Sequence, residues 1–354
     1  MSQPLVSIIM PVRNEAGHIS VSLSSIANQT YPKSNIEVLV ADGMSDDNTR
    51  RVVQNVARDS GLNVEILDNP KRIAPSGLNV ALSKAKGDII IRVDGHCELD
   101  PDYVANCVSL LESDKADGVG GPIRTIGTGP VAEAIAIAMS SKFGVGGSAF
   151  RTVDNREIYT DTVAFPGYKR ETIERAGQFD EELVRNQDDE YNFRIRALGG
   201  RILLSPSIRS RYFSRSSFKS LWRQYLQYGY WKVRVLQLHP RQMSPRQFVP
   251  FFFASTLLLL GFASIFSSIA LWVLFAVGAS YLSLNVLAST VASKGDILKI
   301  PLIALSFLTL HVSYGIGSLF GLVAFRGRWG APGVQVRSAF SNATPAGPSV
   351  ESTK

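Results

Sequence analysis

The sequence predicts an α/β domain that contains a parallel sheet, followed by a transmembrane helical region. Between Leu5 and Ser113, short apolar runs alternate with helix-forming stretches, which is the pattern of repeated strand–helix–strand units. Beyond Phe248 the chain has long uncharged segments, although its overall hydrophobic content of 45% is ordinary. A chain of 354 residues is long enough for one α/β domain and a smaller helical region.

Four apolar runs are predicted as strands, and a helix is predicted after each of them. The strands are Leu5–Met10, Ile36–Ala41, Asn63–Leu67 and Asp88–Val93, and the helices are Glu15–Asn28, Asp47–Asp59, Pro75–Lys86 and Pro101–Ser113. Ligands of parallel sheets bind at the carboxyl ends of the strands. Asp42 directly follows the second predicted strand, and Asp94 directly follows the fourth. We therefore expect both carboxylates at this edge.

The pattern is less regular between residues 115 and 165. The apolar stretch Val131–Met139 fits either a helix in the domain core or a helix on a membrane surface. After Glu171 the sequence predicts two helices joined by a turn, with Glu190–Leu198 as the second.

The last third of the chain is predicted to associate with a membrane. Arg209 to Arg246 holds nine basic residues, no acid, and aromatic residues at helical spacing. This indicates a basic amphipathic helix at a bilayer surface, with a helix docked on the domain as the alternative. Phe248–Ser293 has no charged residue in 46 positions, about 69 Å as a helix, which predicts two spans with a turn near Ser264–Ser268. Ile300–Phe325 is predicted as a third span.

The expected topology contains one inconsistency. The basic region before the first span belongs in the cytoplasm. Three spans then place Arg326, Arg328 and Arg337 outside the cytoplasm, against the same rule. Either one apolar segment does not cross the membrane, or the weak orientation signal of these tail residues is overridden. The chain is therefore divided into an α/β domain (1–208), a basic amphipathic interfacial region (209–247), about three transmembrane helices (248–326) and a disordered tail (327–354).

The overall charge indicates the classes of ligand that the chain can bind, and the two cysteines indicate neither a metal site nor a disulfide. A net charge of +7 and an isoelectric point of about 9.4 are compatible with nucleic acid, anionic lipid or phosphorylated ligands. The basic residues lie beside apolar helices and have a lipid explanation, so no nucleic-acid partner is predicted. Cys97 and Cys107 have neither a disulfide framework nor a metal-binding spacing, and we expect them to be packing residues.

Two acidic motifs follow predicted strands. Asp42 precedes a Ser/Asp/Thr cluster that ends at Thr49; its carboxylate can accept hydrogen bonds from a nucleobase or ribose, and a loop with a helix cap is the alternative. Asp94 and His96 flank Gly95 and can bind a divalent cation together with a diphosphate. Mg²⁺ prefers oxygen ligands, whereas Mn²⁺ accepts imidazole more readily. The alternative is a strand-end turn with a solvated histidine.

A third acidic motif lies in the run from Asn186 to Arg194. Asp188, Asp189 and Glu190 stand at a predicted helix start, where the helix dipole favours negative charge. The functional interpretation is a general base that takes a proton from a hydroxyl group. Adjacent residues on a helix point about 100° apart, so only one of Asp188 and Asp189 can have this role.

In their order and spacing, these motifs resemble family 2 glycosyltransferases. The matching segments are Pro11–Glu15 and Asp42–Thr49, then Asp94–His96 in the position of that family's Asp-x-Asp motif, and Gln187–Asp188 in the position of its Glu-Asp motif. The resemblance covers roughly residues 5–235. It implies the GT-A fold, a Rossmann-like nucleotide-diphospho-sugar transferase domain, here followed by a C-terminal transmembrane helical region.

A narrower resemblance is to the succinoglycan-type glucosyltransferases of exopolysaccharide synthesis. It rests on Asp94–His96, on Lys142–Gly147 and on the run Asn186–Glu190. Two departures from the family pattern are His96 in place of an Asp and Gln187 in place of a Glu. A clear Gln-x-x-Arg-Trp motif is also missing from the sequence, which argues against a processive synthase.

The resemblance implies an inverting hexosyltransferase with defined site residues. Donor binding is expected at Pro11, Val12, Asn14, Glu15, Asp42, Asn79 and Asp94, a divalent cation (Mg²⁺ or Mn²⁺) at Asp94 and His96, and the general base at Asp188. The expected partners are a UDP-sugar, with glucose as the sugar, a polyprenyl-diphosphate-linked glycan acceptor and membrane lipid. The expected location is the inner membrane, as a multi-pass protein with a cytoplasmic catalytic domain. The alternatives are a polyprenyl-phosphate sugar synthase and a nucleotide-binding scaffold without turnover.

Overall fold

A computed structural model describes residues 3–330 and 338–340, which form an α/β domain and a layer of C-terminal helices. The predicted disorder at 331–337 and 341–354 lies outside the described residues. The strands are β1 (Val6–Val12), β2 (Ile36–Asp42), β3 (Asn63–Asp68), β4 (Ile89–Arg92), β5 (Cys97–Leu99), β6 (Gly118–Gly121), β7 (Ile123–Ile126), β8 (Ile158–Tyr159), β9 (Ala164–Lys169), β10 (Ile202–Leu204) and β11 (Ser210–Phe213).

Helices cover both faces of the sheet, and further helices form the C-terminal layer. Those of the α/β domain are α1 (Ile19–Ala27), α2 (Thr49–Ser60), α3 (Ala74–Leu82), α4 (Tyr103–Glu112), α5 (Pro130–Met139), α6 (Lys142–Val145), α7 (Ala149–Thr152), α8 (Arg170–Ala176) and α9 (Gln187–Ala197). Those that follow are α10 (Phe218–Leu238), α11 (Val249–Ala263), α12 (Ser268–Ser293) and α13 (Ile300–Ala324).

The main sheet is mixed, not purely parallel as the sequence analysis expected. Its order is β3-β2-β1-β4-β9-β6-β10-β8, and β9 is antiparallel to both β4 and β6. The β9 strand enters between two parallel strands after the long excursion through α5–α7, so no strand–helix–strand crossover fixes its direction. Its sequence contains Pro166 and Gly167, which weaken any strand signal. A small second sheet has the order β5-β11-β7.

The predicted strand–helix alternation of the first 113 residues is present, and it positions the active-site edge. The β1 strand is almost wholly buried and pairs in parallel with β2 and β4, as expected for strands covered on both faces. Val12 pairs with Asp42, and Ile9 pairs with Arg92. The strands β2 and β4 therefore end beside β1, which brings the loops after them to one edge of the sheet. The strand β11 lies beyond the boundary drawn at residue 208.

The C-terminal region holds three helices that are long and apolar enough to cross a membrane. The turn between α11 and α12 lies at residues 264–267, where Ser267 accepts a hydrogen bond from the Ala270 amide and caps α12. The apolar stretch near 131–139 is a helix of the domain core, because most of α5 is buried under α13. The basic helix α10 is docked between the domain and α13, which is the alternative that the sequence left open.

Glycines allow α10 and α13 to approach with their backbones in contact. A Cβ atom added at Gly229 would lie 2.0 Å from the Tyr314 carbonyl oxygen, and one at Gly317 would lie 2.0 Å from the Leu226 carbonyl oxygen. Two helices can approach this closely only where side chains are missing from both surfaces. The pair α10–α13 is the most extensive helix–helix contact of the described chain.

Candidate active site

The loops after β1 and β2 are joined by hydrogen bonds. The Asn14 amide donates to Ser45 Oγ (2.9 Å), and the Asp46 amide donates to Asn14 Oδ1 (3.1 Å). The Glu15 amide donates to Thr49 Oγ1 (2.8 Å). Asn14 has a φ of 55°, a left-handed conformation that asparagine tolerates better than most residues. The Ser/Asp/Thr cluster therefore shapes the Pro11–Glu15 loop as well as the start of α2.

Asp42 lies at the end of β2, as predicted, but its carboxylate is enclosed. It is fully buried, accepts hydrogen bonds from the amide and hydroxyl of Ser45, and pairs with Arg50 Nε at 2.6 Å. Arg50 also pairs with Asp68 on β3. The Asp42 carboxylate is thus occupied by Ser45 and Arg50, and it holds the loop after β2 in place.

Asn79, another predicted donor-binding residue, is hydrogen-bonded to the segment after α8. Its amide group donates to the Phe179 carbonyl oxygen (3.0 Å) and to Glu181 Oε1 (3.0 Å), and its oxygen accepts from the Phe179 amide (2.8 Å). Both polar ends of the side chain are thus engaged. The residue ties α3 to the segment after α8 and has no free group directed to a nucleotide.

Asp94 and His96 stand together at the sheet edge, and Glu15 connects them to the β1–α1 loop. His96 Nδ1 lies 2.9 Å from Glu15 Oε1, which leaves Nε2 without a protein partner among the described residues. A Cβ atom at Gly95 would lie 3.1 Å from side-chain atoms of both Glu15 and Val12, so a larger residue would push this loop away. One carboxylate and one imidazole fit a cation whose remaining ligands come from a diphosphate and water. Within residues 3–330 and 338–340, no group of three or more metal-ligating side chains is assembled.

Arg92 connects the strand-edge acid to the acid on α9. Its Nη2 lies 2.8 Å from Asp94 Oδ1, and its Nη1 lies 3.2 Å from Asp188 Oδ2. Arg92 is nearly buried, whereas Asp188 keeps 37% of its side chain exposed and lines a cavity. The two predicted functional carboxylates are therefore held on either side of one guanidinium group.

The two adjacent acids on α9 have different electrostatic surroundings. Burial by itself raises the pKa of Asp188, but Arg92 and the Asp189 backbone amide outweigh it, so the net pKa lies below the usual value. Burial raises the pKa of Asp189, and the ion pair with Lys232 of α10 only partly opposes this effect. Asp188 is thus ionised and open to the cavity, while Asp189 is engaged with α10.

Glu190, the third acid of the run, is part of the internal structure. It is fully buried and pairs with Arg194 one turn later on α9 and with His239 at 2.9 Å. Arg194 donates in turn to the carbonyl oxygens of Ala176 and Gln178. This network fixes α9 on the domain and sets the direction of the first turn that carries Asp188.

A cavity of about 570 Å³ connects the acids to the C-terminal helices. Asp94, His96 and Asp188 line one end. The three apolar helices also contribute to the cavity wall, together with aromatic and basic side chains of α6, α7, β11 and α10. The lining residues from the apolar helices are Val249, Pro250, Phe253, Tyr281, Leu310, His311 and Tyr314.

Sequence reasoning missed Arg92, Lys232 and the cavity itself. Arg92 carried a usable signal, because an arginine at the end of the apolar run Ile89–Ile91 needs a buried acid partner. Lys232 belongs to the basic run that predicts a surface facing lipid headgroups, but it is buried and paired with Asp189. No local pattern indicates which acid it meets, since the two residues are far apart in sequence.

The sequence is similar to those of known glycosyltransferases. A family model described as Glycosyl transferase family 2 matches residues 7–177. The chain is 31% identical over 245 residues to the succinoglycan biosynthesis protein ExoA of Rhizobium meliloti (strain 1021), which covers 69% of this chain and 73% of that relative. It is also 31% identical over 231 residues to the dolichyl N-acetyl-alpha-D-glucosaminyl phosphate 3-beta-D-2,3-diacetamido-2,3-dideoxy-beta-D-glucuronosyltransferase of Methanococcus voltae, over 63% of this chain and 71% of the relative.

The chain is also similar over most of its length to a solved structure. This structure is the mannosyltransferase PcManGT from Pyrobaculum calidifontis in complex with GDP-Man and Mn²⁺, with a TM-score of 0.59 over 91% of this chain and 88% of that one. The sequence identity is 21%, so the likeness is one of fold. The GT-A fold expected from the sequence is confirmed, and its sheet is mixed where the sequence analysis expected a parallel one.

Proposed function

The chain belongs to glycosyl transferase family 2 and is a glycosyltransferase, and from this membership we propose that it transfers a sugar from a UDP-sugar to a polyprenyl-diphosphate-linked acceptor. The observation that carries the proposal is the single cavity between Asp188 and the apolar helices. A lipid-linked acceptor has a hydroxylated head and an apolar tail, and the cavity wall combines the catalytic side chains with apolar ones from the C-terminal helices. Glucose is the expected sugar because of the resemblance to succinoglycan-type glucosyltransferases.

The proposed reaction is a single displacement with inversion. Asp188 takes the proton of an acceptor hydroxyl, and the acceptor oxygen forms a bond to the anomeric carbon of the donor sugar. The bond from this carbon to the diphosphate oxygen breaks, and UDP leaves. The lowered pKa of Asp188 keeps the carboxylate ionised at neutral pH, and its exposure to the cavity gives the acceptor access to it.

The donor nucleotide is proposed to bind on the other side of Asp94, against the loops after β1 and β2. The Pro11–Glu15 loop, which includes Val12 and Asn14, supplies the contact surface, and Asp42 holds its shape from below. Glu15 links this loop to His96 at 2.9 Å. Nucleotide and acceptor would then meet at Asp94 from opposite directions.

Asp94 and His96 are the residues that would hold Mg²⁺ or Mn²⁺. The second oxygen of Asp94 and Nε2 of His96 have no ion-pair partner among the described residues, which suits a cation shared with a diphosphate. A cation at this place supplies positive charge that stabilises the departing UDP. Arg92 keeps Asp94 oriented and adds permanent positive charge at the same edge.

A membrane location is proposed because the helices α11, α12 and α13 expose large apolar side chains. The catalytic domain is placed in the cytoplasm, where nucleotide sugars are available, and the membrane is the inner membrane. The name of the Methanococcus relative describes a dolichyl-phosphate-linked sugar, and dolichol is a polyprenyl carrier.

The test is an assay of isolated membranes that carry the overproduced protein. UDP release is measured with several UDP-sugars, with polyprenyl diphosphate bearing one hexose or with polyprenyl phosphate as acceptor, and with or without a chelator. We expect release only with the diphosphate-linked acceptor and its loss with the chelator. Transfer to polyprenyl phosphate, seen as a one-sugar monophosphate product on thin-layer plates, would instead identify a lipid-phosphate sugar synthase.

A further inference from the structure

We propose that Arg151 and Arg215 bind the diphosphate of the lipid-linked acceptor, between the catalytic acids and the apolar end of the cavity. This inference rests on the proposed function. Seven cationic side chains line the cavity, and three of them, Arg92, Lys232 and Arg246, are paired with acids. The other four have no acid within ion-pair distance among the described residues. They are Lys142, Arg151, Arg185 and Arg215.

Arg151 and Arg215 are the two unpaired cations in the cavity wall, whereas Lys142 and Arg185 are exposed at its rim. Arg151 Nη1 donates to Thr125 Oγ1 (3.1 Å), and Arg215 Nε donates to Gln224 Oε1 (3.3 Å). Both partners are neutral, so they orient the guanidinium groups and leave their charges uncompensated. A half-buried cation without an acid is costly unless an anion binds there.

The position of Arg151 fixes the length of the acceptor head. Its Cζ lies 5.9 Å from the centre of the Tyr212 ring, and this ring is 5.4 Å from the His96 ring. Only one aromatic ring therefore separates the proposed diphosphate site from the proposed metal site. An acceptor glycan of one or two sugars fits between them, and a long oligosaccharide does not.

Neutral groups around the two arginines suit a sugar. Gln224 is nearly buried and donates to the Tyr228 hydroxyl (2.9 Å), which leaves the Tyr228 proton available to a ligand. Tyr212 and Tyr225 add aromatic faces on the same wall. Beyond the arginines, Phe143 and Phe253 lead to the apolar helices, where an isoprenoid chain fits.

The test compares Arg151→Gln and Arg215→Gln with Arg124→Gln, an exposed arginine of β7 that does not line the cavity. Loss of a hydrogen bond to a charged group should raise the KM for the diphosphate-linked acceptor roughly tenfold or more in the first two variants. The kcat and the KM for UDP-sugar should stay within about twofold, and Arg124→Gln should match wild type. With the octyl glycoside of the same hexose, which has no phosphate, all four proteins should have the same KM.

Two results would overturn the assignment. One is an equal rise in KM for the octyl glycoside, which would mean that the arginines only shape the pocket. The other is a rise in KM for the UDP-sugar, which would place the donor diphosphate at this site. If the wild-type protein used no lipid-linked acceptor at all, the proposed function would fail instead, so the two failures are distinguishable.

A second inference rests on a different observation: the geometry points to α13 lying along the membrane surface, with α11 and α12 inserted into the cytoplasmic leaflet only. Both ends of α13 contact the catalytic domain. Lys299, just before its start, pairs with Glu133 of α5 (3.0 Å), and Arg328, just after its end, pairs with Glu182 (3.0 Å). The Phe325 carbonyl oxygen also accepts a hydrogen bond from Gln237 of α10 (2.8 Å).

The middle of α13 is docked as well. Ile303 and Phe307 belong to the same buried cluster as Ala134 and Ile135 of α5, and His311 Nε2 lies 2.9 Å from the Phe143 carbonyl oxygen. The helix has 25 residues, about 37 Å, which exceeds a hydrocarbon core of about 30 Å. A helix of this length cannot cross the bilayer while both of its ends touch one domain that remains in water.

The hairpin formed by α11 and α12 begins and ends beside α13. Ala254 is buried on α13, and the nine residues of α11 beyond it, 255–263, reach about 14 Å. On α12 the docked part begins at Tyr281, and the preceding thirteen residues reach about 20 Å. These lengths match one leaflet. The tip carries Phe266, Ile269 and Trp272, each more than 70% exposed.

Exposed basic side chains stand where the apolar helices meet the domain. Arg241 precedes α11, Lys294 follows α12 and Arg326 follows α13. Cations at this level attract anionic headgroups of the cytoplasmic leaflet. A one-sided insertion also removes the conflict with the positive-inside rule, because Arg326 and Arg328 remain in the cytoplasm. This one-sided arrangement is an alternative to the multi-pass arrangement expected from the sequence.

The test is thiol labelling with a membrane-impermeant maleimide in intact spheroplasts and in inside-out vesicles. The native Cys97 and Cys107 are fully buried and give a low background. We expect Gly327→Cys to be labelled only in inside-out vesicles, like Ser34→Cys on the domain surface, and Ser268→Cys at the hairpin tip to be labelled in neither. Labelling of position 327 from outside would show three spans, and labelling of position 268 from outside would show a crossing hairpin; either result overturns the inference.

Discussion

The two sides of the active site are built in opposite ways. On the donor side, the loops after β1 and β2 satisfy one another: the Asn14, Asp46 and Glu15 amides all have side-chain acceptors, and Asp42 is enclosed by Ser45 and Arg50. On the proposed acceptor side, Arg151 and Arg215 of the cavity wall have no acid within ion-pair distance among the described residues. The difference suggests that the donor site is preformed by the protein, whereas the acceptor site is completed electrostatically by its ligand.

This contrast assigns separable roles to residues that are close together. Changes on the acceptor side should alter turnover or acceptor affinity, and changes on the donor side should alter donor affinity alone. Arg92 and Asp94 stand on the border between the two sides, since Arg92 contacts Asp94 on one side and Asp188 on the other.

The largest effect is expected for Asp188→Asn. Loss of the base should lower kcat by about 10²–10⁴, because an amide cannot accept the hydroxyl proton. Donor binding, measured by calorimetry with UDP, should remain near that of wild type, since Asp188 faces the cavity and not the β1–α1 loop. Glu174→Gln, an exposed acid on α8, is the matched control. If Asp188→Asn kept at least a tenth of the wild-type turnover, the base would have to be sought elsewhere.

The next effect is a shifted pH profile in Arg92→Gln. Burial raises the pKa of Asp188, and Arg92 is the main group that lowers it again. Without Arg92 the carboxyl group takes up its proton at a higher pH, so the acid limb of kcat should move upward and kcat should fall about tenfold at its former plateau. The pH dependence of kcat between about 4.5 and 8 gives the answer.

Arg92→Lys is the informative companion to this variant. A lysine keeps the positive charge but cannot donate to Asp94 and Asp188 at once in the fixed fork of an arginine. We expect an acid limb near that of wild type with a reduced kcat. An unchanged limb in Arg92→Gln would mean that Arg92 holds the shape of the site without controlling the charge of Asp188.

The residues of the site differ in how well they could be predicted from the sequence. The donor-side loops and the acid at position 188 were predictable because each is a short motif at the end of a strand or the start of a helix. Arg92 could also have been recognised from the sequence, since a charged residue in an apolar strand requires a partner of opposite charge. Arg151, Arg215 and the apolar helix ends come from distant segments, and only the tertiary fold brings them into one wall.

The fold divides in the same manner. The strand–helix units up to Ser113 follow from local periodicity and were predicted close to their observed bounds. The antiparallel strand β9 was not predicted, because its direction depends on the route of the preceding excursion. The three apolar helices were recognised from composition alone, but composition does not state whether an apolar face meets lipid or protein. The contact of α13 with α5 and α10 decided that question.

A smaller, structural effect is expected for Gly229→Ala. The added Cβ would lie 2.0 Å from the Tyr314 carbonyl oxygen and would force α10 away from α13. Overpacking of this kind typically costs about 1–3 kcal/mol. Thermal unfolding of the purified protein in detergent should shift accordingly, and the KM for the acceptor should rise while UDP binding is unchanged, because α10 and α13 wall only the acceptor side.

Gly278→Ala is the matched control for this variant. It lies on α12 with open space around its Cβ position, and alanine is a better helix former than glycine by up to about 1 kcal/mol. We therefore expect a melting temperature at or above that of wild type. Equal melting temperatures for the two variants would show that α10 and α13 are not in close contact in the folded protein.

The smallest effect is expected for Ser45→Ala on the donor side. The Ser45 hydroxyl accepts from the Asn14 amide and donates to the buried Asp42, so its removal leaves both groups short of one partner. Loss of such neutral and charge-assisted bonds should loosen the Pro11–Glu15 loop and raise the KM for the UDP-sugar about three- to tenfold. Because Asp188 and the arginines of the cavity wall do not contact this loop, the kcat and the KM for the acceptor should remain as in wild type.

Ser34→Ala, on an exposed turn, controls for the loss of a hydroxyl. A rise in the acceptor KM of Ser45→Ala would mean that the two sides share one flexible unit, and the division between a preformed donor site and a ligand-completed acceptor site would have to be abandoned.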